Sequence, residues 1–307
     1  MIEAKSLSKS YGSFKAVDDL SFTVEDGQVL GFLGPNGAGK STTMKMLTGF
    51  LTPTSGTALI NGIDVVDSSV AARKNIGYLP EGAPSYGEMT VQQFMLFVAR
   101  ARLIDKSDIV SSTEKVIEKL NLSEVKHQPI ETLSKGFKRR VGLAQAIIHD
   151  PQILILDEPT DGLDPNQKHE VRRLIRAMAK DKIIIISTHI LEEVAALCNR
   201  VMIIADGKLL ADDSPQGLIG RSRYHNAVSL VVESVEKVAS SLSELPQVAR
   251  AELREGELTL FPSGEGGLFE AVTSAVSENQ WQVSALRLEA GRLDEVFYAI
   301  TRGEGSP

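Results

Sequence analysis

Short continuous apolar runs punctuate the first two thirds of the chain. They occur at 29–33, 153–156, 183–186 and 201–204. Runs of this length without alternation suit strands buried on both faces of a parallel sheet. Between them the apolar spacing changes to that of helices. Val171, Leu174, Ile175 and Met178 recur at helical intervals after Asp164 and Pro165, a plausible cap and first helical residue. Residues 192–197 and about 40–47 also read as helix. The alternation predicts an α/β sandwich. From about 88 to 149 the pattern is helical throughout, with Phe94, Met95, Phe97, Val98 and Ala101, then Val116, Ile117 and Leu120. That stretch reads as a helical insertion in the α/β core.

The pattern restarts beyond Ser214-Pro215-Gln216-Gly217 and Gly220-Arg221-Ser222-Arg223, which read as exit and linker. Strand-like and helix-like segments follow at 228–232, 235–245, 248–253, 258–261, 268–276, 281–288 and 293–300. A turn at Glu255-Gly256 joins the third and fourth of these. The order βαββαβ plus a final helix predicts a small ferredoxin-like α+β domain. The expected division is therefore 1–220 for the first domain and 225–307 for the second.

The chain has 307 residues, 42% apolar and 24% charged, with a net charge of −7. An acidic balance argues against a protein that grips nucleic acid through its phosphates. The single cysteine, Cys198, cannot build a disulfide framework, so a reducing compartment fits. It lies on a helix-spaced apolar stretch and reads as a small buried side chain. The first residues lack the apolar core of a secretory signal. No stretch approaches the ~18 apolar residues of a membrane span. Membrane work would therefore need a partner.

Three segments carry chemistry. Gly34-Pro35-Asn36-Gly37-Ala38-Gly39-Lys40-Ser41 fits the phosphate-loop pattern in full, with a strand before it and a helix after. Its glycines let successive N–H groups face phosphates, and the helix start adds a positive dipole end. Lys40 would reach the β- and γ-phosphates, Ser41 would bind Mg²⁺, and Thr42 would help hold phosphate. A strand ending in Asp157-Glu158-Pro159 can place one carboxylate on the metal and one on a water. Asp157 is assigned to Mg²⁺ and Glu158 to the attacking water. In 133–141, Ser134 can cap a helix that begins near Gly136, a further anion-binding terminus.

Together with Gly162-Leu163-Asp164 and Ser187-Thr188-His189, these segments occur in the order and spacing of ABC ATPases, which the chain resembles from residue 2 to about 220. The usual Leu-Ser-Gly-Gly-Gln motif departs here at Lys135 and Phe137, while Ser134 and Gly136 are kept. The resemblance implies ATP and Mg²⁺ as ligands and further roles. Tyr11 matches the aromatic that stacks on adenine, a π-face platform for a base. His189 matches the histidine that contacts the γ-phosphate and orients water. Asp164 matches the aspartate that links the two sites of a dimer. Glu81 stands where a glutamine that senses metal and water is common.

The resemblance also implies a second copy of the chain, whose Ser134 and Gly136 close the site across a two-fold axis. It implies a separate integral-membrane permease, docked on the helical insertion, and a place on the inner face of the cell membrane. The segment Arg292 to Phe297 resembles the tail of drug-export and gliding-motility subunits. A soluble ABC ATPase of translation or DNA repair would more often carry paired cassettes or a long coiled-coil insertion. A P-loop kinase or GTPase gives no reason for the Ser134 motif and His189.

Overall fold

The computed structural model describes residues 1–302 apart from Ser234 and Glu265. The chain separates into two compact units, Met1–Ser214 and a second that starts at Pro215.

In the first unit, β1 (Ile2–Tyr11) and β2 (Phe14–Val24) form a hairpin, and β3 (Val29–Leu33) leads into α1 (Lys40–Leu47). β4 (Ser55–Ile60), β5 (Ile63–Asp64), α2 (Ser69–Lys74) and β6 (Ile76–Leu79) follow. Three helices come next: α3 (Val91–Ala101), α4 (Ile109–Lys119) and α5 (Lys135–Ile147). β7 (Ile153–Asp157), α6 (Pro165–Met178), β8 (Ile183–Thr188), α7 (Leu191–Leu197), β9 (Arg200–Ala205) and β10 (Lys208–Asp213) complete the unit.

The central sheet has the order β10-β9-β3-β8-β7-β6. All neighbours are parallel except the edge pair of β9 and β10. The apolar runs are explained by what lies on each face. Leu154, Leu156, Ile184 and Ile186 pack into one core with α3, α4, α5 and α6. Their neighbours Ile153, Ile155, Ile183 and Ile185 pack into a second core with α1 and the strands β1, β2 and β4. Successive side chains point to opposite faces, and both faces are covered, so these runs are apolar at every position.

The second core rests on an antiparallel sheet, β2-β1-β4-β5, that the alternation of runs did not anticipate. Its strands do not keep a period of two. β1 shifts register against β2 between Ala4 and Leu7, again before Lys9, and again before Ser10. Such bulges blur the alternation a sequence reading depends on. The single antiparallel edge strand β10 was likewise not foreseen.

The second unit holds α8 (Pro215–Ile219), β11 (Val228–Val232), α9 (Val235–Ser243), β12 (Val248–Arg254), β13 (Glu257–Pro262), α10 (Leu268–Glu278), β14 (Val283–Leu288) and α11 (Leu293–Arg302). The order β12-β13-β11-β14, antiparallel throughout, is that of a split βαββαβ unit. Glu255 and Gly256 both take positive φ in the predicted turn. One expectation fails here. Pro215, Gln216 and Gly217, read as part of the exit, lie in the short helix α8, in which Pro215 and Leu218 are buried. Among the described residues, no helix is long and apolar enough to cross a membrane.

Candidate active site

Parallel pairing brings the chemistry-bearing residues to one end of the central sheet. Leu33 lies beside Thr188, Asp157 beside Ser187, and Leu79 beside Leu156. The residues just beyond these carboxyl ends are Gly34, Glu158, His189 and, two positions on, Glu81. The carboxyl ends of strands in an open α/β sheet are where ligands bind.

The loop after β3 is shaped by glycines. Gly39 caps α1 with φ of +99°, and a Cβ there would stand 2.4 Å from the Ala16 carbonyl oxygen. A Cβ on Gly34 would stand 2.3 Å from the Ile204 carbonyl oxygen. Gly37 also has positive φ, and Pro35, Asn36 and Gly37 form the exposed tip, with Ala38 buried behind them. Lys40, 7% exposed, folds back and donates to the carbonyls of Gly34 at 2.7 Å and Pro35 at 3.0 Å. Burial holds its ammonium below the ordinary lysine range, while Glu158, Asp157 and Glu81 oppose that shift. Those three carboxylates thus all act on one lysine. Ser41 and Thr42 stand half-buried in the first turn of α1.

Asp157 is 1% exposed. Its Oδ1 accepts a hydrogen bond from the Ser187 hydroxyl, while Oδ2 is buried with no partner in the protein. A buried carboxylate oxygen left unpaired is costly unless a cation meets it. The donor set of Asp157, the Ser41 hydroxyl and the nearby Glu81 is oxygen only, the chemistry that Mg²⁺ takes. The site fits that ion.

Glu158 has φ of +49°, uncommon for a residue with a side chain, and its N–H donates to the Ser187 carbonyl at 3.0 Å. Its Oε1 lies 3.0 Å from Nδ1 of His189, which is itself half exposed. A carboxylate and an imidazole so paired, opening to solvent, can position and deprotonate a water.

Ser134 caps α5 and accepts from the Phe137 N–H; the helix begins one residue earlier than expected, at Lys135. Ser134 is exposed, whereas Gly136 is buried against Gln167 of α6, whose side chain would have to move for any Cβ. Asp164 caps α6 through the Gln167 N–H at 2.9 Å. Tyr11 stands 52% exposed at the end of β1, with Lys9 5.5 Å over its ring. Ser134 and Asp164 are both exposed at helix starts. The Cys198 thiol, pressed against Gly31, is pushed up to about 12 by burial, which suits an inert core group.

Sequence reasoning passed over Arg139, 6% exposed. Its guanidinium donates to the carbonyls of Asp157 at 2.8 Å, Pro159 at 3.2 Å and Pro80 at 3.5 Å. It therefore ties the helix capped by Ser134 to the loops bearing Asp157, Glu158 and Glu81. The signal was present: Arg139 lies three residues after Gly136 and four before Leu143, on the buried stripe of α5. Glu193 was missed in the same way, one position before buried Val194 and four before Leu197.

A glycine-rich loop wrapping a lysine at the end of a parallel strand, beside a strand-end carboxylate pair, defines a nucleoside-triphosphate-binding cassette. Residues 17–161 match the ABC transporter family. The chain is 37% identical to the uncharacterized ABC transporter ATP-binding protein YxlF of Bacillus subtilis, over 81% of this chain and 82% of that one. It is 40% identical to the Nod factor export ATP-binding protein I of Rhizobium meliloti, over 71% of this chain and 65% of that one. It is 39% identical to the probable multidrug ABC transporter ATP-binding protein YbhF of Escherichia coli, over 72% of this chain but only 38% of that protein's length. Among solved structures, an ATP-binding subunit of an ABC transporter superposes with a TM-score of 0.66 at 29% identity, over 71% of this chain and 91% of the other. A dimeric ATP-binding cassette bound to ADP and Pi shares the fold, with a TM-score of 0.65 at 20% identity over 70% of this chain and 99% of the other. The chain belongs to the ABC transporter ATP-binding protein family, and the fold of its first unit is that of the ABC cassette.

Proposed function

We propose that this ATP-binding subunit hydrolyses ATP with Mg²⁺ and powers an exporter through a separate integral-membrane permease, working as a pair of copies on the inner face of the membrane. The observation that carries the hydrolytic reading is the Glu158–His189 pair at 3.0 Å, set beside the unpartnered Oδ2 of Asp157. Lys40 and the backbone N–H groups of the loop from Asn36 to Thr42 bind the phosphates. Asp157 and Ser41, with Glu81 close by, hold the metal, which would supply positive charge against the phosphate oxygens. Glu158 takes the proton of the attacking water, and His189 orients both. Tyr11 offers its exposed ring to the adenine.

The exposed Ser134 and Asp164 are consistent with action on the other copy's nucleotide, with Gly136 letting that helix start lie close to Gln167. Export is the direction named for the Rhizobium relative. The second unit is assigned an accessory role. A chain ending at Ser214 should then still bind ATP.

Glu158→Gln tests the reading. Loss of a general base costs about 10²–10⁴ in rate. The variant should bind ATP as the wild type does, hydrolyse it at least about a hundredfold more slowly, and accumulate as an ATP-bound dimer on size exclusion. Wild-type turnover would remove Glu158 from the role.

A further inference from the structure

Glu193 lies in the first turn of α7, four residues after His189, and is 1% exposed. A buried carboxylate must be matched by donors or it destabilises the fold. The donors it has are specific in where they come from. Thr160, two residues after Glu158, gives its hydroxyl proton to Oε1. Thr188, the residue before His189, gives its proton to Oε2 at 3.0 Å. The Thr188 oxygen in turn accepts the Ile190 N–H at 3.0 Å, which fixes its direction. Arg172 of α6, the helix capped by Asp164, approaches Oε1 at 4.0 Å. One carboxylate therefore gathers the segment after Glu158, the segment before His189 and the helix that follows Asp164.

The pairing of β7 with β8 fixes Asp157 and Ser187, but it ends there. Beyond it Glu158 turns into positive φ. Besides the bond from the Glu158 N–H to the Ser187 carbonyl, the side-chain links between the two segments are the Glu158–His189 contact itself and the two threonine bonds to Glu193. Burial pushes the Glu193 carboxyl above its ordinary range, opposed by Thr188 and Arg172, so the molecule keeps a costly group where an apolar side chain would pack.

We propose that Glu193 is a positioning residue for hydrolysis: by holding Thr160 and Thr188 it sets the distance and orientation of Glu158 and His189, and through Arg172 it ties that pair to the segment of Asp164. The proposal rests on the hydrolytic reading of Glu158 and His189.

The test uses the full chain, with ATP turnover measured across ATP concentrations, ATP affinity measured by direct titration, and thermal unfolding. Glu193→Gln keeps the shape but can accept from only one threonine. A small misplacement of a reacting pair costs about tenfold to a hundredfold in rate. The variant should lose about tenfold in kcat, with KM and ATP affinity within about twofold of wild type. Thr160→Val cuts one tie and leaves the carboxylate, and should lose kcat several-fold in the same pattern; it carries the test if Glu193→Gln does not fold. In single turnover, adding Glu193→Gln to His189→Ala should slow the reaction by less than Glu193→Gln does alone, because part of its effect acts through His189. A purely structural Glu193 would lower the unfolding temperature and multiply independently onto His189→Ala. Wild-type kcat in the folded variants, or a multiplicative double variant, overturns the proposal while an inactive Glu158→Gln leaves the hydrolytic reading standing. An active Glu158→Gln overturns both.

Discussion

In the first unit Lys40, Arg139, Asp157 and Glu193 are each less than a tenth exposed, and Asp157 keeps one oxygen without a partner. In the second unit the buried polar residues, among those described, are two serines, Ser222 and Ser229. Its ions pair nearer the surface: Glu252 alone meets Arg223, Arg250 and Arg254, the last two well exposed. Both units have a sheet with helices packed against it, and both have ample charge. The difference is whether charge is carried into the interior at the end of a sheet. Buried ions cost stability, and a fold retains them where they act on something. Burial of charge, more than fold, separates the two units.

The sharpest break of this contrast is Asp157→Asn. The amide oxygen can keep the Ser187 bond while the unmatched negative charge goes. Hydrolysis in Mg²⁺ should fall by about two orders of magnitude, since metal-borne charge stabilisation is lost. In the presence of a chelator and without ATP, unfolding stability should stay within about 1 kcal/mol of wild type or rise. A fall of several kcal/mol would make this carboxylate structural.

Lys40→Ala should be next in size. Charge-assisted hydrogen bonds contribute about 1.5–3 kcal/mol, so ATP affinity should drop by roughly ten- to a hundredfold. Equilibrium titration at fixed ionic strength measures it, and unchanged affinity would place the phosphates elsewhere.

A third, smaller effect is a pH dependence. His149 of the first unit is pushed down to about 4 from 6.5, chiefly by burial and then by Arg102, and its Nδ1 is buried without a partner. The folded form resists the proton that the unfolded chain accepts. Stability from this group is therefore full above about 6.5 and is lost as pH falls toward 4. His149→Asn should flatten that part of the urea midpoint profile between pH 7 and pH 4.5. A profile as steep as wild type would assign the loss to other groups.

Glu252→Gln should have the least effect. Two of its three arginines are well exposed, so solvent screens the pairs, and the cost should be about 1 kcal/mol or less in thermal unfolding. Basal hydrolysis should not change. A drop in ATP turnover would mean that surface ions of the second unit reach the active site, and the contrast between the units would fail.

Much of this protein is written in short stretches of its sequence. The phosphate loop needs glycine at 34 and 39 because neighbouring backbone leaves no room for a side chain, and at 37 because its φ is positive, and that requirement is visible as a motif. The caps Ser134 and Asp164 act on N–H groups three residues away, so they too are legible locally. The βαββαβ order of the second unit followed from periodicity along the chain.

Other features exist only once distant segments meet. The antiparallel sheet pairs Ile2 with Ile60, and its bulges hide the alternation that would have announced it. Arg139 finds its role when α5 packs across the ends of β6 and β7, reaching carbonyls up to 59 residues away. Glu193 joins Thr160, 33 residues earlier, to Thr188 beside it. Periodicity and capping reflect neighbours along the chain, so a sequence states them directly. Which buried charge meets which carbonyl or hydroxyl depends on strand order and register, and those are decided by long-range packing that minimises exposed apolar surface across the whole unit.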